Sequence, residues 1–289
     1  MKIRVGITIG DPAGIGPVIC QKALRKLSGL ADFMAIGSTK GFCPGKMSRQ
    51  TGQASLNFLD QALDLLADKK IDCLVTCPVS KEAISKTGIH FSGHTEYLAQ
   101  KTRTHDYVMM LLNDKLKFVL LTRHIPLKDV PAALMAADLK KTALITDKYL
   151  KRFFNIKDPK MVVCGLNPHA SDNGLIGREE NRIIKPILKK LNRSIKIYGP
   201  LSADAGIAQM LDKKFDCAIA MYHDQALIPL KLISPESGVN ITLGLPFVRA
   251  SPLHGTAFDI ADKPRLVDPA SLISAIKLAI KCASNLKNA

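Results

Sequence analysis

Short, almost uninterrupted apolar runs alternate along this chain with longer segments in which apolar residues recur every three or four positions. The runs have the length of β-strands, and the longer segments have the period of amphipathic helices. We predict strands at residues 2–9, 32–36, 73–76, 107–112, 116–122, 161–164, 195–198, 217–221 and 239–243. We predict helices ending near residue 27, opening near residue 80, and at residues 54–66, 130–154, 179–191, 205–211 and 271–286. This alternation indicates an α/β fold with a largely parallel sheet.

Turn and cap residues add detail to this pattern. Asn113-Asp114-Lys115 separates two strands and predicts a hairpin, and therefore some antiparallel pairing. Residues 37–52, rich in Gly, Ser, Lys and Pro, predict a loop, and a second loop is expected at 165–178. Asp268 is predicted to be the N-cap of the last helix, with Pro269 in its first turn.

Length and composition limit the class of protein. The 289 residues are 47% hydrophobic, which suits one large α/β domain or two lobes. No apolar stretch approaches the ~20 residues that cross a bilayer, and no signal-peptide pattern occurs, so we expect a cytoplasmic protein without a membrane partner. The seven cysteines are expected to be reduced thiols in or near the core.

The net charge of +16 has three interpretations: nucleic-acid binding, a preference for anionic substrates, or a lysine-rich solvated surface. The lysines stand singly or in pairs, and no basic block is interleaved with aromatic residues as in a nucleic-acid interface. We therefore favour the surface interpretation and expect no nucleic-acid partner.

Three histidines occupy equivalent local contexts. His124, His169 and His223 each follow an apolar strand and stand beside a polar or proline-containing turn. Ligands of open α/β sheets bind at the carboxyl ends of the strands, so three imidazoles there can converge on one divalent ion. Zn2+ is the first choice, with Mg2+ or Co2+ as alternatives. The competing interpretation is that each histidine caps a turn or makes a local hydrogen bond.

Other polar groups suit an anionic substrate. Gly93-His94-Thr95-Glu96 reads as a tight turn into a helix, where free amides, a histidine and a hydroxyl could bind phosphate or carboxylate. An ordinary threonine cap explains the same residues. Lys231, Asn240 and Arg249 supply cationic and amide groups. The glycine-rich turn at residues 10–17 fits neither the dinucleotide fingerprint nor the Walker A pattern, and a structural role is as good an explanation.

The whole set of motifs resembles a known family, that of 4-hydroxythreonine-4-phosphate dehydrogenase in pyridoxal 5'-phosphate biosynthesis. The matching segments lie in the same order over nearly the whole chain: Ile9-Gly-Asp-Pro-Ala-Gly-Ile-Gly-Pro17, Gly93-His-Thr-Glu96, Cys164-Gly-Leu-Asn-Pro-His-Ala170, Met221-Tyr-His-Asp-Gln225 and Val239-Asn-Ile-Thr-Leu-Gly-Leu-Pro-Phe247. The resemblance implies an isocitrate/isopropylmalate-dehydrogenase-like α/β/α fold with two lobes. It also implies a homodimer whose active site lies in the cleft between the lobes and is shared with the partner subunit.

The resemblance also implies roles for individual residues. His124, His169 and His223 would bind the metal, while His94, Thr95, Lys231, Asn240 and Arg249 would bind substrate. The segment His254-Gly-Thr-Ala-Phe-Asp259 is similar to the one that holds the adenosine part of NAD+ or NADP+, which implicates His254, Gly255, Thr256 and Asp259. No general base is assigned.

The implied reaction is the metal-dependent oxidation of 4-phosphooxy-L-threonine to 2-amino-3-oxo-4-phosphooxybutanoate, which decarboxylates to 3-amino-2-oxopropyl phosphate. A paralogous dehydrogenase of threonate or erythronate 4-phosphate fits the same residues. We place one lobe at residues 1–115 plus 245–289, and the other, with most metal and substrate residues, at 116–244. Three features depart from the family pattern: a shortened region around 37–50, Leu253 in place of Asp, and Asp262-Lys263-Pro264.

Overall fold

The strands follow the apolar runs of the sequence. The computed structural model describes residues 2–288. Its strands are β1 Arg4–Thr8, β2 Asp32–Ile36, β3 Cys73–Thr76, β4 Val108–Leu112, β5 Lys117–Leu120, β6 Lys160–Cys164, β7 Lys196–Leu201, β8 Cys217–Ala220, β9 Val239–Leu243 and β10 Val248–Pro252. Every predicted strand is present. The strand β10 was not predicted, because Arg249 and Pro252 interrupt its apolar pattern.

The helices are α1 Gly16–Lys26, α2 Arg49–Ala67, α3 Lys81–Ser85, α4 His94–Lys101, α5 Val130–Ala136, α6 Leu139–Phe154, α7 Lys185–Leu191, α8 Ala203–Leu211, α9 His223–Ile233 and α10 Ala270–Lys287. The predicted helix 179–191 consists of a π-helical turn at Glu180–Ile184 followed by α7, and two other predictions need correction. The predicted helix 130–154 is divided, because the Asp138 carboxylate caps a new helix by accepting from the Lys141 N–H. The loop at 37–52 ends earlier than predicted, because Ser48 and Thr51 form a capping box that starts α2.

The chain divides into two compact units. Unit 1 consists of Met1–His105 with Glu236–Ala289, and unit 2 of Asp106–Pro235. The lobes proposed from the sequence, with breaks after residues 115 and 244, stay a prediction. In unit 1 the strand order is β2-β1-β3-β10-β9, and only β9 runs antiparallel to its neighbour. The helix α10 packs on β10, β3 and β9 of this sheet.

In unit 2 the strand order is β4-β5-β8-β6-β7. The strands β4 and β5 form the predicted hairpin, and the other three pairs are parallel. The Asn113 carboxamide oxygen closes the hairpin by accepting from the N–H groups of Lys115 and Leu116, at 2.9 and 2.8 Å. The predicted mixture of parallel strands with some antiparallel pairing is confirmed.

Some expectations about single residues need correction. All seven cysteines are free thiols, but Cys43 is exposed, because it lies in the polar loop before α2 and not in the core. The N-cap position of the last helix is Pro269 and not Asp268; the Asp268 carboxylate accepts from the N–H of Ala270, the first residue of the helix. In the described part of the chain, no helix combines the length and the apolar character that crossing a membrane requires.

Candidate functional site

The sheet of unit 2 brings the three histidine loops to one edge. The strands β5, β8 and β6 are parallel neighbours, so their carboxyl ends meet at the same edge. His124 follows β5, His223 follows β8 and His169 follows β6. Since β8 lies between the other two strands, the spatial order of the loops differs from their order along the chain.

His124 and His223 lie side by side. Their ring centroids are 5.7 Å apart. His223 is the first residue of α9, and its Nδ1 lies 2.7 Å from the Asp224 carboxylate. A carboxylate on Nδ1 favours the tautomer whose Nε2 carries the free lone pair. This pair of imidazoles can therefore act as two neighbouring nitrogen donors.

His169 lies in an unusual backbone segment. Five consecutive residues, from His169 to Asn173, have φ between 42° and 73° in the left-handed region. Such a conformation costs about 1–2 kcal/mol per residue, so it must be held by its surroundings. Glu180, which is fully buried, accepts from the Asn167 backbone N–H at 2.8 Å and from the Asn167 carboxamide at 2.9 Å. These two bonds fix the start of the segment.

The His169 side chain is exposed and lies near Asp204, which belongs to the first turn of α8, just after β7. The pKa of Asp204 is lowered, chiefly by the Ser202 hydroxyl, next by the Ala205 N–H, and to a smaller extent by His169. Within residues 2–288, no group of three or more His, Cys, Asp or Glu side chains is arranged to hold a metal ion. The structure thus brings His124 and His223 together and places His169 on the neighbouring loop.

The donor chemistry of this edge fits a divalent metal ion. Zn2+ binds imidazole nitrogen at about 2.0–2.1 Å, and two imidazoles that share an ion have centroids at a separation similar to that of His124 and His223. Neutral imidazoles leave the full charge of the ion available, and fewer than four protein ligands leave positions for a substrate.

Unit 1 contains a buried cluster in which threonine hydroxyls surround the guanidinium of Arg249. The Arg249 side chain is 1% exposed, and its Nη2 and Nε donate to the Thr76 hydroxyl at 2.6 and 3.2 Å. The Thr95 and Thr242 hydroxyls lie 3.5 Å from its Nη1. Burial lowers the pKa of Arg249 to about 10, and the nearby Glu96 carboxylate raises it by a smaller amount. Because burial has the larger effect, an anion that arrived here would stabilise the guanidinium.

His94 opens α4 beside this cluster. Burial lowers the pKa of His94 well below its usual value, and the charges of Arg249 and Lys81 lower it further. A hydrogen bond to the Cys77 carbonyl opposes this change and places the proton on Nδ1. The Nε2 atom is buried and has no hydrogen-bond partner in unit 1 or elsewhere in the described chain. His94 is therefore a neutral acceptor for a ligand O–H or N–H group.

The remaining predicted substrate residues divide between the units. Asn240 lies on β9 two positions before Thr242, so both side chains point to the same face of the strand. The Asn240 Oδ1 is buried and, among the described residues, has no hydrogen-bond partner. Lys231 belongs to unit 2, near the end of α9, where it is exposed.

The predicted cofactor residues form one loop after β10. His254, Gly255 and Thr256 lie between the end of this strand and the short 3-10 turn Phe258–Ile260, and Asp259 lies within that turn. The Thr256 carbonyl accepts from the Ile15 N–H at 2.9 Å, which joins this loop to the glycine-rich turn at residues 10–17. A Cβ on Gly14 would meet Thr256 at 3.0 Å, so glycine permits the close approach.

Some site residues were missed at the sequence level. Thr76 and Thr242 contact Arg249, but each is a buried threonine within a mostly apolar strand. A threonine in a strand is ordinary, so neither position is marked by a pattern. The strand register that pairs Thr242 with Arg249 is visible only in the structure, because β10 was not predicted.

Comparisons with known proteins agree on one family. The family described as "Pyridoxal phosphate biosynthetic protein PdxA" matches residues 18–279. The 4-hydroxythreonine-4-phosphate dehydrogenase of Sulfurihydrogenibium sp. is 40% identical over 317 aligned positions, which cover 96% of this chain and 98% of the relative. The D-threonate 4-phosphate dehydrogenase of Salmonella typhimurium is 37% identical and covers 96% and 98%. These alignments are longer than the 289 residues of this chain, so the relatives contain residues that it lacks.

Solved structures give the same result for the fold. The 4-hydroxythreonine-4-phosphate dehydrogenase of Klebsiella pneumoniae has a TM-score of 0.84 at 32% identity, over 98% of both chains. The isocitrate dehydrogenase of Methylococcus capsulatus has a TM-score of 0.52 at 16% identity, covering 99% of this chain and 87% of the other. At that identity the likeness concerns the fold alone, and it confirms the predicted isocitrate/isopropylmalate-dehydrogenase-like architecture.

Proposed function

The chain belongs to the PdxA family, and from this premise we propose that it is an NAD(P)-linked, metal-dependent dehydrogenase of 4-phosphooxy-L-threonine. The proposed reaction moves a hydride from the carbinol carbon to NAD+ or NADP+ and the hydroxyl proton to solvent, giving 2-amino-3-oxo-4-phosphooxybutanoate. The bond to its carboxylate then breaks and CO2 leaves. A proton from solvent takes the place of CO2, and the product is 3-amino-2-oxopropyl phosphate.

The observation that carries this proposal is the buried Arg249 cluster. A guanidinium whose pKa is lowered by burial gains most from an anionic partner, and the substrate has two anionic groups, a phosphate and a carboxylate. Thr95 adds a hydroxyl within reach of the same guanidinium. The neutral His94 adds an acceptor that can orient a substrate hydroxyl or ammonium group.

His124, His169 and His223 are proposed to hold the metal, with Zn2+ preferred over Mg2+ or Co2+. When bound, such an ion acts as a Lewis acid that lowers the pKa of a hydroxyl and makes a ketone a better electron acceptor. Asp224 keeps His223 in the tautomer that such binding requires. The loop with His254, Gly255, Thr256 and Asp259 is proposed to hold the adenosine part of NAD+ or NADP+. His254 supports this assignment, because its Nε2 is buried without a hydrogen-bond partner among the described residues.

A second candidate substrate is threonate or erythronate 4-phosphate. It is supported by the 37% identity to the D-threonate 4-phosphate dehydrogenase of Salmonella typhimurium. These acids carry a hydroxyl where 4-phosphooxy-L-threonine carries an ammonium group. The neutral His94 accepts a hydrogen bond from either group, so the Arg249 and His94 cluster serves both substrates.

The proposal is tested by measuring reduced nicotinamide formation with the three phosphorylated acids, each with NAD+ and with NADP+. We expect the highest kcat/KM for 4-phosphooxy-L-threonine. The unphosphorylated form should be about 100-fold poorer, because the loss of charge-assisted hydrogen bonds is worth several kcal/mol. A higher kcat/KM for threonate 4-phosphate would move the assignment to the second candidate. Equal rates with and without the phosphate would contradict anion recognition.

We also propose that the enzyme is a homodimer with the active site at the subunit interface. This is supported by several large apolar side chains of unit 2 that are more than half exposed, namely Leu127, Met135, Leu175, Ile228 and Leu232. We expect light scattering to give twice the mass of one chain at the concentration used for assays. Leu232→Glu should shift this mass towards one chain, whereas Lys189→Glu on α7 should not. A fully active single chain would refute the proposal.

A further inference from the structure

A continuous chain of hydrogen bonds crosses the carboxyl edge of the unit 2 sheet. The Thr122 hydroxyl donates to the Met221 carbonyl at 2.6 Å, and the Thr122 N–H donates to the same oxygen at 3.2 Å. The Met221 N–H donates to the Gln225 Oε1 at 2.7 Å, and the Gln225 Nε2 donates to the Gly165 carbonyl at 2.8 Å. The chain of bonds thus runs through two side chains and the Met221 backbone.

Three members of this chain of hydrogen bonds, Thr122, Met221 and Gly165, stand just before one of the three histidines. Thr122 is two residues before His124, and Met221 is two residues before His223. Gly165 is four residues before His169, and a Cβ on it would lie 2.9 Å from Ala170 Cα. Gly165 therefore lies directly beneath the left-handed segment that carries His169.

Gln225 is the member that joins β8 and β6. It lies in the first turn of α9, and it is 8% exposed. Its amide oxygen accepts a hydrogen bond from the loop that precedes His223, and its amide nitrogen donates one to the loop that precedes His169. Parallel strand pairing ends at Val163 and Ile219, so backbone hydrogen bonds no longer fix the spacing of these loops beyond that point. The Gln225 side chain continues the connection past the end of the sheet.

We infer that Gln225, together with Thr122, is a positioning residue that fixes the spacing of the loops carrying His124, His223 and His169. This inference rests on the proposed metal site. A buried amide with both ends bonded holds two loops at a fixed separation, and the loss of one end leaves a buried polar group without a partner.

The test is metal binding by Gln225→Met, which keeps the length of the side chain but can neither donate to Gly165 nor accept from Met221 in the same way. We expect the apparent Kd for Zn2+ to rise by about 10-fold to 100-fold, the usual effect of losing a group that orients ligands. The visible absorption of the Co2+-loaded protein should change in position or intensity, because it reports the geometry of the ligands. The matched control Gln209→Met on α8 should leave both unchanged.

Thr122 provides an independent pair of variants. Thr122→Val removes the hydroxyl at constant shape, whereas Thr122→Ser keeps it. We expect Thr122→Val to weaken Zn2+ binding and alter the Co2+ spectrum. Thr122→Ser should retain the wild-type Kd for Zn2+ and the wild-type Co2+ spectrum. This pair decides the question even where Gln225→Met folds poorly, and Tm is measured for every variant.

The outcomes separate the inference from the proposed function. Wild-type protein that takes up neither Zn2+ nor Co2+ would remove the metal site and this inference together. Wild-type binding with unchanged Kd and spectrum in Gln225→Met and Thr122→Val would overturn the inference alone. A lower Tm with an unchanged Co2+ spectrum would likewise show that the chain of bonds stabilises the fold without placing the histidines.

Discussion

Replacement of His124, His169 or His223 by alanine is expected to lower kcat/KM by roughly 1000-fold or more and to abolish binding at the proposed metal site. A divalent ion contributes several kcal/mol of charge stabilisation in the transition state, and each tenfold in rate corresponds to about 1.4 kcal/mol. His124 and His223 should both be indispensable, because their rings already lie 5.7 Å apart as a pair of donors. Replacement of His169 should have the same effect, because His169 is proposed to be the third ligand of the metal.

The measurement compares metal content after dialysis with kcat/KM for each variant, and a chelator is added to the wild-type enzyme. His105→Ala removes an exposed histidine outside the three loops and serves as the control. The variants should keep the Tm of the metal-free wild-type protein, because His124 and His169 are exposed and His223 is half-buried. Wild-type metal content and activity in the triple variant would refute the site.

Most of the fold could be predicted because its strands are buried on both faces. In β3, β5, β6 and β8 nearly every side chain is buried, so each appears in the sequence as an unbroken apolar run. Such runs can be recognised without knowledge of tertiary structure. The hairpin between β4 and β5 could be recognised for a similar local reason, since Asn113 closes it with its own side chain.

The strand that the sequence did not reveal is the one that carries Arg249. A charged residue at the second of the five positions of β10 argues against a buried strand when only local pattern is available. In the folded unit the guanidinium is accommodated by threonine hydroxyls from β3, α4 and β9. Thr76 and Thr95 lie 173 and 154 residues away in the sequence, so only the tertiary structure explains why the strand tolerates the charge. A departure from local pattern of this kind is expected at a functional site.

The histidine loops could be predicted individually but not their arrangement. Each follows an apolar strand, which the sequence shows. The strand order β5-β8-β6-β7 does not follow the chain, so the pairing of His124 with His223 could not be read from spacing. His169 and Asp204 lie near each other for the same reason, because they follow β6 and β7, which are adjacent in the sheet. Gln225 belongs to one of the matching segments, but nothing in the sequence indicated a positioning role for it or for Thr122, since one buried polar residue in a helix or loop is common.

Arg249→Met is expected to lower kcat/KM by roughly 100-fold to 1000-fold while the Tm stays unchanged or rises. Hydrogen bonds from a charged group contribute about 1.5–3 kcal/mol each, and the guanidinium can make two to one anionic group of the substrate. Most of the loss should appear in KM, because the charge acts on an anion that is present in both ground and transition states.

Stability should not fall, because burial disfavours the charged form and lowers the pKa of Arg249 to about 10. Replacing a buried charge by an apolar side chain of similar length is often neutral or stabilising.

A fall in kcat/KM without a fall in Tm distinguishes substrate recognition by Arg249 from a structural role. Thermal unfolding and steady-state kinetics are measured on the same preparation, with Arg25→Met on the exposed face of α1 as the control. Arg249→Lys should recover little of the affinity, since a lysine cannot make the paired hydrogen bonds of a guanidinium. Inorganic phosphate should raise the Tm of the wild-type protein and have a much smaller effect on Arg249→Met, because only the charged site gains an anionic partner. If activity and Tm both fall in Arg249→Met, and phosphate stabilises wild type and variant alike, then Arg249 holds the strands of unit 1 together and another group binds the anion.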